Sequence, residues 1–432
     1  MATFSEIAGI VSSKAAEVSR LLREAQLPEP TFNETGAHDF DTRHHQNADT
    51  EALRHARNAL INAAQDLSHL TMGPVDYLCS LSWSAAKIAN LGSLVRLDIP
   101  RRIPQGGSRN LSDLVAEIGL PELIISRVIR YAIANGMLHE EPIGVISHTA
   151  ASARLAIDRD MHNFCLMWSA EISSLLVKLP EALARKQTLG NKGPEAAANL
   201  AFPEYVNLFD YFEKRTDAAQ RYSTYLASRA KIPCWSADYL IRAWDWDSVG
   251  SGTVVDVGGS AGSTSVILAR AFPSMHLVNQ DVAPEALKEG EANIKQLGLN
   301  SRISFAHHDF FSSQTVSAKA YIFKSILHDW PDEACVRILK ALLPALKDGA
   351  HVLIGECLMP GPPALRASAW DYEAKRVEDQ IMIAGHGAHE RTLEQFQAIF
   401  SAASESFRFN GVKEDVDGSV FSLIDFVYHP SK

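Results

Sequence analysis

The stretch Thr253-Val-Val-Asp256-Val-Gly258-Gly259-Ser260-Ala-Gly262, continued by Ser263-Thr-Ser-Val266-Ile267-Leu268-Ala269, decides the fold. Its apolar opening reads as a strand, its glycines as a tight turn and its second apolar run as a helix. Such a turn lets a nucleotide-like ligand touch the backbone where strand gives way to helix. The dinucleotide pattern Gly-x-Gly-x-x-Gly does not occur here. Counted from Gly258, its third and sixth positions are Ser260 and Ser263. What does occur is an acid at the strand end with glycines two, three and six positions later.

That arrangement suits S-adenosylmethionine, which has no pyrophosphate to seat on a helix N-terminus. It has a ribose diol, an adenine, an ammonium and a carboxylate. The competing reading is a sharp turn that holds no ligand. Downstream the texture is regular, with strands expected near 253–257, 275–279, 303–307, 320–325 and 351–356 and helices between them. This is a doubly wound, mostly parallel α/β sheet. The helix after Pro331 should kink or break at Pro344, and the apolar segment Ser419–Tyr428 should end in a strand.

Upstream, Phe4, Ile7, Val11, Ala15, Val18 and Leu22 fall on one helical face. A polar stretch from Leu27 to Asn47 reads as a linker, and Asp49 is placed to cap a second amphipathic helix through Leu53, Ala56, Leu60, Leu67 and Leu70. These two stripes have no evident core of their own, so a partner subunit is their expected cover, with packing on the same chain as the alternative. Further on, Ser112 can cap a short helix that Gly119 ends. Pro121 opens the next helix, Gly136 closes it, and Val145-Ile146 forms a short strand. That order is a winged-helix pattern. Its second helix offers only Arg127 and Arg130 as bases, which favours protein interaction over DNA binding.

A length of 432 residues implies two or three domains. The expected division is 1–160, a helical and winged-helix-like dimerisation domain; 161–250, an aromatic-rich helical segment contributing to a substrate pocket; and 251–432, the sheet domain. The net charge of −10 argues against a nucleic-acid footprint. Five scattered cysteines, none in a Cys-x-x-Cys pair, argue against a zinc site or a disulfide framework. With no secretory leader and no bilayer-spanning run, a cytoplasmic protein without a membrane partner is expected.

Ligands of a doubly wound sheet sit at the carboxyl ends of its strands. Asp281 ends the second strand, where a carboxylate can accept both hydroxyls of a ribose. Asp309 ends the third, and with Phe310 it offers an acid and a flat ring to an adenine. The fourth strand runs through Lys324 and delivers His328-Asp329-Trp330. An imidazole at that edge titrates near neutrality and is a natural general base for a weakly acidic hydroxyl. Glu356 ends the fifth strand, and Glu390 precedes Thr392. A buried carboxylate facing His328 would fix its tautomer. Glu390 has a rival reading as an exposed acid ahead of a capping box made by Thr392 and Gln395. His328, Asp329 and Asp332 lack regular metal-ligand spacing, so no metal is expected.

The glycine turn, Asn279-Gln-Asp281, His308-Asp309-Phe310, Phe323-Lys324, His328-Asp-Trp, Gly355-Glu356-Cys357 and Glu390-Arg391-Thr392 occur in order. Together they resemble the S-adenosylmethionine-dependent O-methyltransferases of the plant caffeic acid and chalcone type. The long, His-rich N-terminal extension is similar to that of fungal secondary-metabolite members. The resemblance implies a class I, Rossmann-like methyltransferase domain. It implies S-adenosylmethionine contacts at Gly258, Gly259, Asp281, Asp309, Phe310 and Lys324, with S-adenosylhomocysteine as product. It also implies His328 as base flanked by Glu356 and Glu390, an aromatic small-molecule acceptor, and a homodimer formed through the N-terminal domain. Ser260 departs from the plant pattern, which carries glycine there. Two rivals remain: a pericyclase-like enzyme that binds the donor without methylating, and a winged-helix regulator that senses it.

Overall fold

The computed structural model describes residues 2–35, 50–189, 196–360, 369–414 and 416–430. The expected cap Asp49 and residues 36–47 of the expected linker lie outside them. The chain separates into two compact units. One comprises Met1–Lys178, Ala201–Ile232 and Arg366–Asp371; the other comprises Leu179–Leu200, Pro233–Leu365 and Tyr372–Lys432. The segment 161–250 is therefore divided between them.

In the first unit the helix Phe4–Glu24 begins with a capping box between Thr3 and Glu6. Its stripe, Val18, Leu21 and Leu22, packs on Leu53 and Ala56 of the helix Thr50–Ser82. The expectation of a partner subunit as cover is corrected for these residues: they bury one another. The second helix kinks at Gly73, ahead of Pro74. Beyond the kink Val75, Leu78, Leu81 and Trp83 are exposed.

The winged-helix pattern is present in the same unit. Strands β1 (Ser108–Asn110), β2 (Leu138–Glu140) and β3 (Val145–His148) form an antiparallel sheet in the order β1-β3-β2. Helices Leu111–Ile118 and Glu122–Ala134 pack on it through Leu111, Leu114, Ile125, Ile129 and Ile146. The first of these helices starts at Leu111, so Asn110 and not Ser112 precedes it. Gly119 ends it in the left-handed region, with φ 75°.

The second unit contains a seven-stranded sheet in the order β6-β5-β4-β7-β8-β10-β9. Its strands are β4 (Thr253–Val257), β5 (His276–Asp281), β6 (Ile303–His307), β7 (Ala320–Lys324), β8 (Ala350–Glu356), β9 (Phe407–Lys413) and β10 (Ser422–Tyr428). The first five are parallel; β10 runs antiparallel to β8 and to β9. Every side chain of β7 from Ala320 to Phe323 is buried, as expected for a strand covered on both faces. Burying a ring such as Phe323 contributes about 1.5–3 kcal/mol. The helix Asp332–Leu342 does end before Pro344 and tightens into a 3-10 turn, Leu343–Ala345. The order reverses beside β4, with β5 and β6 on one side and β7 and β8 on the other. That makes the carboxyl edge of β4 and β7 the expected ligand crevice.

Candidate active site

The glycine turn leaves β4 at this edge and enters the helix Ser263–Ala271. Gly258 has φ 71° and Gly262 φ 79°, conformations that side chains disfavour. The amides of Gly258 and Gly259 both donate to the carbonyl of Gln280 on β5, at 2.8 and 3.0 Å. A Cβ on Gly259 would lie 2.1 Å from Oδ1 of Asn279 and 2.7 Å from the carboxyl of Asp256, so only glycine fits. Asp256 sits beneath the turn. Burial pushes its carboxyl up to about 6, opposed by the Ser265 hydroxyl, which donates to it at 2.8 Å, and by the charge of Lys324.

Asp281 closes the turn from β5. Its Oδ2 accepts the amide of Ser260 at 2.9 Å and its Oδ1 that of Ala283 at 2.9 Å. Each oxygen keeps a lone pair for a further donor, and the residue is only half-buried. Ser260 itself adopts φ 49°, so the serine carries the left-handed conformation that glycine would take without strain. Asp309 lies two residues beyond the end of β6 rather than at it, exposed, with Oδ1 accepting the amide of Phe311. Phe310 leans towards the turn: a Cβ on Gly258 would meet its ring at 3.7 Å and Ile326 Cδ1 at 2.5 Å. Lys324 ends β7, with Nζ 4.2 Å from the Phe421 ring. The expected donor residues thus converge on one edge.

Two residues after Ile326 stands His328, in a 3-10 turn and buried. Its Nδ1 lies 2.6 Å from Oε1 of Glu390 and 3.4 Å from Oε2 of Glu356. The side chains of both glutamates are fully buried, which removes the reading of Glu390 as an exposed acid. The capping box that Thr392 makes with Gln395 forms as well. Oε1 of Glu356 accepts the amides of Ile326 and Leu327 at 2.9 and 2.8 Å, so β8 holds the turn that carries the imidazole.

The electrostatics of this trio are one coupled problem. Burial penalises a charged His328. The carboxylates of Glu356, Glu390 and Asp329 outweigh it, and the imidazole is held well above its ordinary value. Burial pushes Glu390 up to about 7, with His328 pulling it back and Glu356 and Glu378 adding to the rise. Glu356 is raised for the same first reason. We take the imidazolium between carboxylates as the resting state, since two buried carboxylates need a counter-charge. The ring becomes a base only after that proton leaves.

The ligand atoms of the trio lie within 4.8 Å of one another, close enough in principle for a metal ion. The contact of 2.6 Å between Nδ1 and Oε1 speaks against one. Two ligands about 2.0–2.1 Å from a tetrahedral ion stand about 3.3 Å apart.

Comparison with known proteins bears on this site. The O-methyltransferase domain family matches residues 193–406. The chain is 32% identical over 380 residues to O-methyltransferase aoiF of Aspergillus oryzae, covering 86% of this chain and 88% of that one. The chain belongs to the S-adenosylmethionine-dependent O-methyltransferases. This O-methyltransferase is also 29% identical over 428 residues to the grayanic acid biosynthesis cluster O-methyltransferase of Cladonia grayi, covering 99% and 88%. Its fold is similar to that of OxaC, solved with sinefungin and meleagrin, at TM-score 0.73 and 20% identity over 97% of this chain and 99% of that one. It is similar also to NcsB1, solved with S-adenosylmethionine and a naphthoic acid, at TM-score 0.65 and 18% identity over 79% and 96%.

Sequence reasoning passed over Arg391, which helps build the candidate site. Arg391 is fully buried, and its guanidinium donates to Asp332, at 2.7 and 2.9 Å, and to the carbonyls of Leu327 and Trp330, at 2.8 and 2.7 Å. It ties down both sides of His328. The signal available was its place in Glu390-Arg391-Thr392, next to a residue already singled out.

Proposed function

We propose that this O-methyltransferase methylates a hydroxyl of an aromatic small molecule, a phenolic or polyketide secondary metabolite, with His328 as general base. One observation carries the reading: a buried imidazole whose Nδ1 is fixed by Glu390 at 2.6 Å, so that Nε2, 3.6 Å from the Asp329 carboxylate, is the nitrogen that would meet the incoming hydroxyl. A phenol with pKa about 10 is mostly neutral at pH 7, so a base within hydrogen-bond reach exposes the nucleophilic oxygen. Glu390 and Glu356 stabilise the imidazolium that results. Gly258, Gly259, Asp281, Asp309, Phe310 and Lys324 are the proposed donor-binding residues. The turn supports this, since its glycines exclude side chains where backbone must approach a ligand, and Asp281 keeps acceptor capacity suited to a ribose diol. When bound, S-adenosylmethionine supplies a methyl group already activated on a sulfonium. The chain's own part is then alignment, exclusion of water and removal of one proton.

The acceptor class follows the relatives: one acts in a grayanic acid cluster, and NcsB1 was solved with a naphthoic acid. We further propose a homodimer through the N-terminal unit, supported by the exposed Val75, Leu78, Leu81 and Trp83. A cytoplasmic location is proposed as well; all five cysteines are free, and no helix among the described residues is long and apolar enough to cross a membrane. The test is incubation with S-adenosylmethionine and a phenolic panel, read by mass spectrometry. Methyl ethers and S-adenosylhomocysteine in equal amounts are expected. A rearranged product without S-adenosylhomocysteine would replace transfer with the pericyclase-like reading.

A further inference from the structure

The helix Ala369–His386 ends in a second imidazole beside the base. Nε2 of His386 lies 3.6 Å from Oδ1 of Asp329, and that same oxygen lies 3.6 Å from Nε2 of His328. One carboxylate oxygen is flanked by two ring nitrogens. Nδ1 of His328 is already committed to Glu390, and Asp329 lies 3.6 Å from Nε2, close enough to act on its charge while the proposed hydroxyl approaches the same nitrogen. The Asp329 side chain is 21% exposed and the His386 side chain 10%, so the carboxylate reaches water more readily than the imidazole beside it.

We propose that His386 is a positioning residue for methyl transfer: its imidazole keeps the Asp329 carboxylate beside the His328 ring, and it acts on the base through that carboxylate. The proposal rests on the reading of His328 as base. The chemistry of the ring suits the task. Burial lowers His386, the nearby His328 lowers it further, and Asp329 opposes both. A neutral imidazole at 3.6 Å offers the carboxylate the dipole of its ring without bringing a charge that would cancel it. A lysine or arginine there would neutralise Asp329 and lose its effect on His328. His386 faces Asp329 and His328; Asp329 faces the two imidazoles and acts on Glu356; His328 faces Glu356, Glu390 and Asp329. Released to solvent, Asp329 would no longer favour the imidazolium, and His328 would lose its proton at lower pH.

The test is a double-mutant cycle on His386→Phe and Asp329→Asn, read as the pH dependence of kcat/KM. Each single variant is expected to move the acid limb to lower pH by a similar amount, with donor affinity within about twofold of wild type. The double variant should move it no further than the larger single shift. His386→Gln, whose amide also offers the carboxylate a dipole, should return the limb to its wild-type position. An unmoved limb in His386→Phe, or shifts that add in the double variant, would overturn the proposal. Should His386→Phe not fold, as judged by thermal melting, His386→Leu takes its place in the cycle. His328→Ala, run alongside, separates the two readings. Turnover retained in His328→Ala removes the base itself, whereas an inactive His328→Ala beside a wild-type-like His386→Phe removes only the role of His386.

Discussion

The two halves of the proposed methyltransferase site, a donor edge and a base edge, are built by different means. The donor edge, at the ends of β4 and β5, is made of backbone: glycines at positive φ, amides shared with Gln280, and an acid that closes the turn. The base edge, beyond β7 and β8, is made of buried charge: one imidazole, two glutamates and one arginine brought from residues 328, 356, 390 and 391. A backbone-built site fails when a Cβ is added. A charge-built site fails when a partner is removed, and it responds to pH.

The largest loss of stability is expected at the base edge. Arg391→Met removes four hydrogen bonds from a fully buried guanidinium and leaves two carbonyls beside His328 without it. A loss of about 3–5 kcal/mol is expected, seen as a lower Tm with turnover reduced even below the melting range. At the donor edge, Gly259→Ala forces Asn279 or Asp256 aside and should cost about 1–3 kcal/mol. Calorimetry should show weakened S-adenosylmethionine binding, whereas Arg391→Met should bind it in its folded fraction.

The next contrast concerns pH. The Glu390 carboxylate raises His328, so Glu390→Gln lowers it. The acid limb of kcat/KM should then move to lower pH, while the plateau falls because the imidazolium loses a partner. A limb that moves to higher pH contradicts the electrostatic account. No such shift is expected for Gly259→Ala. The smallest effect belongs to Ser260→Gly, which relieves a positive φ while keeping the backbone amide on Asp281. Stability should rise by about 1 kcal/mol or less, with unchanged kinetics. A chelator should leave turnover of the wild type unchanged; loss of activity restored by a metal would reopen the metal reading.

The donor edge was far more legible in the sequence than the base edge, and the reason is physical. A glycine turn between strand and helix is a local constraint, written in consecutive residues, so the turn and the parallel strands could be read directly. The base edge is a convergence over 62 positions between His328 and Glu390, and no local period records it. His328 and Glu356 were visible near strand ends, but the burial of Glu390 was not, because its place just ahead of the capping box of Thr392 and Gln395 suited an exposed acid equally well. Arg391 and His386 were missed because a buried polar side chain and an exposed one look alike in sequence. β9 was missed as well; its exposed Arg408, Phe409 and Asn410 give no inward face to read. The stripes of the first two helices were right in part, with Val18, Leu22 and Leu53 buried but Phe4 and Leu70 exposed, and their partner was not legible. A stripe says that a face is covered, not by what.

The claim on which the rest depends is that His328 takes the acceptor's proton while the donor is held elsewhere. His328→Ala, with donor affinity measured by calorimetry and S-adenosylhomocysteine formation measured on the same preparation, tests it most directly. Donor binding within about twofold of wild type and a rate lower by about 10²–10⁴ are expected. Methylation at the wild-type rate in that variant would contradict the account.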